Sequence, residues 1–129
     1  MLADLRTYIL ADSNISGFLS NRLHSDRIPK NSTYPVANYA VKSEDVTNTH
    51  GSDSKELNRD VVQIDVYAKS GGEARDLKNA LKLRLNSKNL TQGNTRFGYI
   101  EWDGSFSSYE TETELFRQVT TIKVTWSPV

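Results

Sequence analysis

Cysteine is absent from this chain of 129 residues, and its absence excludes disulfide bonds, thiolate zinc sites and cysteine nucleophiles. The sequence also lacks any apolar run close to the ~18 residues that a membrane-spanning helix requires. Its N-terminus, Met-Leu-Ala-Asp-Leu-Arg, does not have the basic-then-apolar order of a signal peptide. We therefore expect a protein that is made and retained in a cytoplasm, with no membrane partner.

Net charge is missing as well, because sixteen basic residues balance sixteen acidic ones. A neutral chain lacks the general attraction to phosphate that nucleic-acid-binding proteins usually show. It also lacks the charge repulsion that keeps monomers apart, which favours assembly. Only 36% of the residues are hydrophobic, so we expect a single domain over residues 1–129 with one modest core, stabilised by association with other subunits.

The clearest pattern in the chain lies between Asp60 and Asn86. Apolar and polar residues alternate from Val62 to Ala68, which predicts a strand with one buried face. Apolar residues then recur at three- and four-residue steps from Ala74 to Leu85, which predicts an amphipathic helix. Ser70 and Glu73 stand three residues apart at the change of period, as in a capping box, so we expect the helix to begin there.

Weaker patterns fill the rest of the chain. They predict a short N-terminal helix that ends near Asp12-Ser13-Asn14, a further helical turn at 15–19, strands starting at Pro35, Phe97 and Phe116, and a polar loop at 87–95. We expect Asp103-Gly104 to stop the strand that starts at Phe97. Together these elements predict an α+β fold: a mostly antiparallel sheet of about four strands, with two main helices packed on one side and long polar loops.

Residues 42–59 are almost entirely polar, which predicts a long, exposed and mobile loop. Long loops inside compact domains are often functional, so this segment is our main candidate for contact with another molecule. Its charged candidate contact residues are Glu44, Asp45, Asp53, Lys55 and Glu56.

Catalytic and metal-binding patterns are weak throughout the sequence. His24 and His50 are the only histidines, both in polar surroundings, and a metal site needs three or four converging ligands. Ser70-Gly71-Gly72-Glu73 lacks the lysine of a phosphate-binding loop, so it is interpreted as a helix cap. A magnesium site of Asp60, Asp65 and Glu101, as in a small nuclease, is a competing hypothesis to acids on the wet face of a sheet. We therefore predict no enzyme activity, no cofactor and no metal.

Charge is unevenly distributed along the chain. Seven bases and two acids lie between Lys69 and Arg96, whereas five acids and no base lie between Glu101 and Glu114. These segments are interpreted either as solvated surfaces or as subunit interfaces in which the basic helix of one copy meets the acidic segment of the next. Contact of the basic helix with a DNA backbone is a third interpretation. The candidate interface charges are Arg75, Lys78, Lys82, Glu110, Glu112 and Glu114.

The order of these features resembles the tail-completion or tail-terminator proteins of long-tailed bacteriophages. The resemblance covers nearly the whole chain apart from 42–59. It depends on the N-terminal helix, Arg27-Ile28 before a proline, Tyr34-Pro35-Val36 opening a strand, Val62-Gln-Ile-Asp-Val-Tyr-Ala68, the small-residue turn, a helix with Ala80 and Leu81, and the terminal Leu115-Phe116-Arg117…Val124-Thr125-Trp126 strand preceded by alternating acids.

The resemblance implies a structural virion protein of the tail or neck, made in the cytoplasm of a bacterial host. It implies a homo-oligomeric ring, usually of six copies, that caps the tail tube and joins it to the head connector or stopper protein. DNA is then expected to pass through the lumen of the ring without specific binding. A head-completion or connector adaptor of the phage neck is the alternative function.

Overall fold

The computed structural model describes residues 1–48 and 56–129. Three helices and six strands follow one another along these residues. In chain order they are α1 (Leu2–Leu10), α2 (Ser13–Leu19), β1 (Leu23–Ser25), β2 (Val36–Asn48), β3 (Glu56–Ala68), α3 (Gly71–Leu85), β4 (Lys88–Gln92), β5 (Thr95–Glu110) and β6 (Leu115–Pro128). None of the helices in these two ranges is long and apolar enough to cross a membrane.

The strands form one mixed sheet in the order β1-β2-β3-β6-β5-β4. β1 runs parallel to β2, whereas each of the other neighbouring pairs is antiparallel. The prediction of about four mostly antiparallel strands with two main helices is therefore wrong: the sheet has six strands and is mixed, and three helices accompany it. The missed strands β1 and β4 are short and carry few apolar residues, so they have no clear hydrophobic period.

The helices cover one face of the sheet, and the core lies between them and the strands. The alternating residues of β3 and the predicted stripe of α3 are buried there, as the two periods indicate. Two predicted features of α3 are confirmed, its start near Ser70 and its cap, because Ser70 Oγ accepts a hydrogen bond from the Glu73 amide at 3.1 Å. The largest fully buried side chains are Phe97, Leu5, Ile9, Ile15, Leu19, Leu23, Ile64, Leu77, Leu81, Leu85, Ile100 and Ile122.

Arg84 joins α3 to α1. Its guanidinium lies 3.8 Å from the centre of the Tyr8 ring, and its Nε and Nη2 donate to the Tyr8 carbonyl oxygen at 3.1 and 2.8 Å. The Tyr8 hydroxyl donates in return to the Arg84 carbonyl oxygen at 2.9 Å. Because the Tyr8 carbonyl lies in the last turn of α1, the guanidinium also occupies the favourable end of the helix dipole.

Asp4 fixes the other side of α1 to the turn between β4 and β5. Its Oδ2 accepts from Thr95 Oγ1 at 2.6 Å and from the Asn94 amide at 3.3 Å. Gly93 has a φ of 57°, and a Cβ at that position would run into the Asp4 carboxylate. A side chain at Gly93 is therefore excluded both by backbone conformation and by space.

The predicted loop at 42–59 is wrong for the part that the structure describes. Residues 42–48 continue β2 and residues 56–59 begin β3, so the two strands form a long hairpin. A bulge between Val41 and Ser43 shifts the register of this hairpin. The segment is almost entirely polar in sequence, and so its hydrophobic pattern does not indicate a strand.

β5 likewise runs past its predicted end. The strand continues through Asp103-Gly104, where a register shift between Trp102 and Gly104 marks a bulge, and ends at Glu110. Gly104 adopts a φ of 130°, which glycine permits at a bulge. The predicted polar loop at 87–95 is also wrong in part, since Lys88–Gln92 forms β4.

Candidate subunit interface

The outer surface of α3 carries the predicted bases. Arg75 and Lys82 are exposed and Lys78 is half-buried, on the side of the helix that faces away from the sheet. Leu83 lies among them with 77% of its surface exposed. The ion pairs found among the described residues do not involve these bases. This surface therefore combines unneutralised positive charge with one large exposed apolar side chain.

The predicted acids lie close together at the turn between β5 and β6. Glu110 ends β5, and Glu112 and Glu114 are exposed in the turn that follows. Thr113 Oγ1 donates to Glu110 Oε2 at 3.0 Å, which orders the turn. Glu114 has a φ of 56°, a conformation that few residues other than glycine adopt. The turn thus holds three carboxylates in a small area.

Two aromatic rings extend this surface from the acidic turn towards α3. The rings of Tyr109 and Phe116 lie 4.8 Å apart, and the two side chains are 49% and 37% exposed. They line a cleft of about 350 Å³ together with Arg75 and Gly71 at the start of α3. The start of the basic helix and the acidic turn therefore lie on the same side of the molecule.

The aromatic pair was not predicted as a contact surface. Phe106 and Tyr109 stand in a stretch of serines, and no apolar period indicates that they share a strand with the residues before Gly104. Phe106 is 63% exposed on the opposite face of β5 from Tyr109. Exposed aromatic side chains are enriched in protein interfaces.

The predicted contact residues of the 42–59 segment are not held together by a loop. Glu44 and Asp45 are exposed side chains of β2, and Glu56 is the first residue of β3. Asp53 and Lys55 lie outside the described residues. Their role in contacts stays a prediction.

The acids of the nuclease hypothesis do not converge. Asp60 and Asp65 are five residues apart in β3, and alternation along the strand places them on opposite faces of the sheet. Asp60 Oδ2 accepts from Trp126 Nε1 at 3.0 Å, and Glu101 is an exposed residue opposite Lys123. Over residues 1–48 and 56–129, no group of three or more His, Asp or Glu side chains is arranged to hold a metal ion. His24 lies in β1, and His50 is outside these ranges.

Asp65 belongs to a polar cluster on the sheet face that the helices leave uncovered. Its Oδ2 accepts from Arg117 Nη2 at 2.7 Å, and its Oδ1 accepts from Gln63 Nε2 at 2.9 Å. Burial lowers the pKa of Arg117, but the hydrogen bond and charge of Asp65 outweigh it and raise the pKa overall. The Arg117 guanidinium also lies 5.5 Å from the Tyr67 ring, and burial raises the pKa of that tyrosine. These contacts describe a structural ion pair between β3 and β6.

Comparison with known proteins identifies a family and a fold. A family model described as "Tail completion protein gp17" matches residues 3–126. A chain of a solved structure titled "Virion of native gene transfer agent (GTA) particle" matches with a TM-score of 0.68 and 12% identity, covering 98% of this chain and 94% of that chain. At that identity the likeness shows a shared fold. No curated protein matches the chain significantly.

Proposed function

The chain belongs to the family of the tail completion protein gp17, whose model matches residues 3–126, and we propose that its copies form a ring that caps the phage tail tube. Membership of this family makes the chain a structural protein of the tail or neck of the virion. In our proposal the ring has six copies, and it joins the tube to the head connector or stopper protein. The family match is the observation that carries this proposal.

The surface of the subunit supports assembly with other copies. The bases of α3, the aromatic pair and the acidic turn lie near one another, and exposed charged and aromatic groups of this kind are suited to a protein contact. Because the basic and acidic groups share one side of the molecule, we propose that both contribute to the same contact with one neighbour. A closed ring then requires a different surface of that neighbour, as in any head-to-tail contact.

The charge balance supports passage of DNA through the ring without specific binding. The chain has a formal net charge of zero, so it has no general attraction for the phosphate backbone. We also propose that the protein has no enzyme activity. A cleavage assay with divalent metal ions tests this second proposal, and cutting that is lost in Asp65→Ala would contradict it.

The ring is tested by adding the purified protein to purified tail tubes. We expect light scattering to show an oligomer that depends on concentration, and electron microscopy to show rings at the ends of tubes. Reversal of the three bases of α3 to glutamate should weaken this assembly. A control variant that reverses the exposed base Arg96, on another surface, should assemble normally. Tubes with no caps at any protein concentration would refute the proposal.

Phage particles lacking the protein distinguish the proposed function from a connector adaptor. A protein that completes the tail limits its length, so its loss should give overlong tails that are not joined to heads. An adaptor that acts on the head connector would instead leave tails of normal length.

A further inference from the structure

Among the residues that the structure describes, no strand lies beside the outer edge of β5 over more than half its length. β4 pairs with β5 only from Thr95 to Ile100. Within the described part of the chain, no strand lies against the outer edge from Glu101 to Glu110. Such an edge presents a row of free N–H and C=O groups and is a template for another strand.

The register shows which groups on this edge point outward. The Trp102 amide donates to Asn86 Oδ1 at 3.2 Å, so it points away from β6, and Trp102 lies opposite Ile122. Its partner Ile122 therefore directs its N–H and C=O groups away from β5. Since these groups alternate between the two sides of a strand, the odd-numbered residues of β6 direct theirs towards β5. Beyond the bulge, some residues of β5 lie opposite even-numbered residues of β6. These residues of β5 direct their N–H and C=O groups outward, and they are Ser105, Ser107 and Tyr109.

β2 carries a second free edge on the opposite side of the sheet. β1 pairs with β2 only at Ala37–Tyr39, so no strand among residues 1–48 and 56–129 borders β2 from Ala40 to Asn48. The edge of β1 itself is closed, because the carbonyl oxygens of Leu23 and Ser25 accept hydrogen bonds at 2.9 and 2.6 Å from Arg6 Nε and the Arg27 amide. Of these two neighbouring edges, only that of β2 is open to a partner strand.

We propose that the free edge of β5 pairs with the free edge of β2 in the next copy, so that one sheet continues around the ring. This inference rests on the proposed ring. Strand direction alternates across β2, β3, β6 and β5. A second copy in the same orientation therefore presents β2 antiparallel to β5, and the alternation continues across the contact without a reversal.

The ends of β4 and β1 determine how far the next copy is shifted along the strands. The pairing registers show which residues of β3 lie at the same height as each free edge. The free edge of β5 is level with residues 61–68 of β3, and the free edge of β2 is level with residues 56–63 of β3. A shift of the next copy by about six residues along the strands places the two free edges side by side and avoids a collision with β4 and β1. Because six is an even number, every side chain stays on its own face of the sheet.

This shift agrees with the geometry of a closed sheet. The shift is six residues of ~3.3 Å each along the strands, and it accumulates across a width of four strands spaced ~4.8 Å apart. The ratio of this shift to this width corresponds to a strand tilt of roughly 45°. Closed barrels tilt their strands by about 35–45°. The shift that the positions of β4 and β1 impose therefore matches the shift between strands that a closed sheet requires.

The same register brings opposite charges together. The acidic turn with Glu112 and Glu114 then lies beside the segment that follows β1 in the next copy, where Arg27 and Lys30 are exposed. No ion pair among the described residues involves these two bases. Complementary charge of this kind fixes register and excludes other alignments.

Disulfide trapping tests the pairing directly, since the chain has no native cysteine. In the proposed register Ser107 lies opposite Glu44 of the next copy, at the ~5.5 Å Cα separation of a hydrogen-bonded pair, which a disulfide spans. The double variant Ser107→Cys, Glu44→Cys should form covalent oligomers up to the full ring on oxidation. The matched control Ser108→Cys, Glu44→Cys places the thiols on opposite faces and should yield at least about tenfold less.

A proline variant gives a second measurement. Ser107→Pro removes an outward amide that has no partner within its own sheet, so the subunit should keep its circular dichroism spectrum while its rings are lost. Ser107→Ala removes only the hydroxyl, which accepts a hydrogen bond from Gln118 Nε2 at 2.8 Å, and should keep the rings. Rings that form normally in Ser107→Pro, or that are trapped equally by both cysteine pairs, would overturn the edge pairing and leave the ring itself standing. Absence of rings in the unmodified protein, alone and on tail tubes, would overturn both proposals.

Discussion

Replacement of Arg84 tests how the helices are held to each other. Arg84→Ala removes two charged hydrogen bonds to the Tyr8 carbonyl and the contact of the guanidinium with the Tyr8 ring. Each charged hydrogen bond contributes about 1.5–3 kcal/mol when buried, and the ring contact about 0.5–1 kcal/mol. Because Arg84 is only half-buried and both bonds share one acceptor, we expect a loss of about 2–3 kcal/mol in the free energy of unfolding.

Urea denaturation measures this loss, and the melting temperature should fall by roughly 8 °C. Arg84→Lys keeps the charge but not the planar fork, so it should lose about 1–2 kcal/mol. Lys82→Ala, two residues away on the exposed surface, is the control and should stay within about 0.5 kcal/mol of the unchanged protein. In a double-mutant cycle, Tyr8→Leu removes the ring but leaves the carbonyl acceptor, so the coupling energy between the two substitutions should be about 0.5–1 kcal/mol, the share of the ring contact. Full additivity in that cycle would refute the ring contact.

Three further predictions concern single contacts in the subunit. Gly93→Ala should destabilise the fold by about 2 kcal/mol, measured by urea denaturation, because the left-handed backbone and the Asp4 carboxylate both oppose a Cβ. Trp126→Phe leaves the buried Asp60 carboxylate without its donor and should cost about 1–3 kcal/mol by the same assay. Burial raises the pKa of Tyr39 above 10.0, although Arg6 opposes the shift. The unfolded chain therefore loses this proton first, so the contribution of Tyr39 to the free energy of unfolding, taken as the difference from Tyr39→Phe, should be constant below pH 10 and fall above it; a rise would contradict the assignment.

The sequence predicts those parts of the fold where burial imposes a period. β3 has its inner face against the helices, and α3 covers it, so their alternation and their stripe are both visible in the sequence. β6 is identified for the same reason, because Ile122 and Val124 are buried on one face. The cap at Ser70 follows from residue type alone.

The rest of the fold depends on pairing between distant segments, which local patterns do not record. Residues 42–48 and 104–110 are strands because they continue hairpins whose buried parts fix the register. The side chains of residues 42–45 and 104–110 are largely exposed, so no period of two appears there. β4 is a strand because the turn at Gly93 and Asn94 folds it back onto β5.

The candidate interface likewise has features that the sequence predicts and features that it does not. The charged residues of α3 and of the acidic turn could be named from composition, since charge is a property of each residue. Their position on one side of the molecule could not, because it depends on where the β5–β6 hairpin ends relative to Gly71. The free edges of β2 and β5 were invisible for a similar reason, since an edge is defined by which strands are absent beside it.

The most direct test of the proposed ring is the mass of the assembly that forms when purified protein meets purified tail tubes. Native mass spectrometry of the complex released from capped tubes should give six times the 14.6 kDa mass of the chain. A protein that stays at the mass of one chain at every concentration, with and without tubes, would contradict the account.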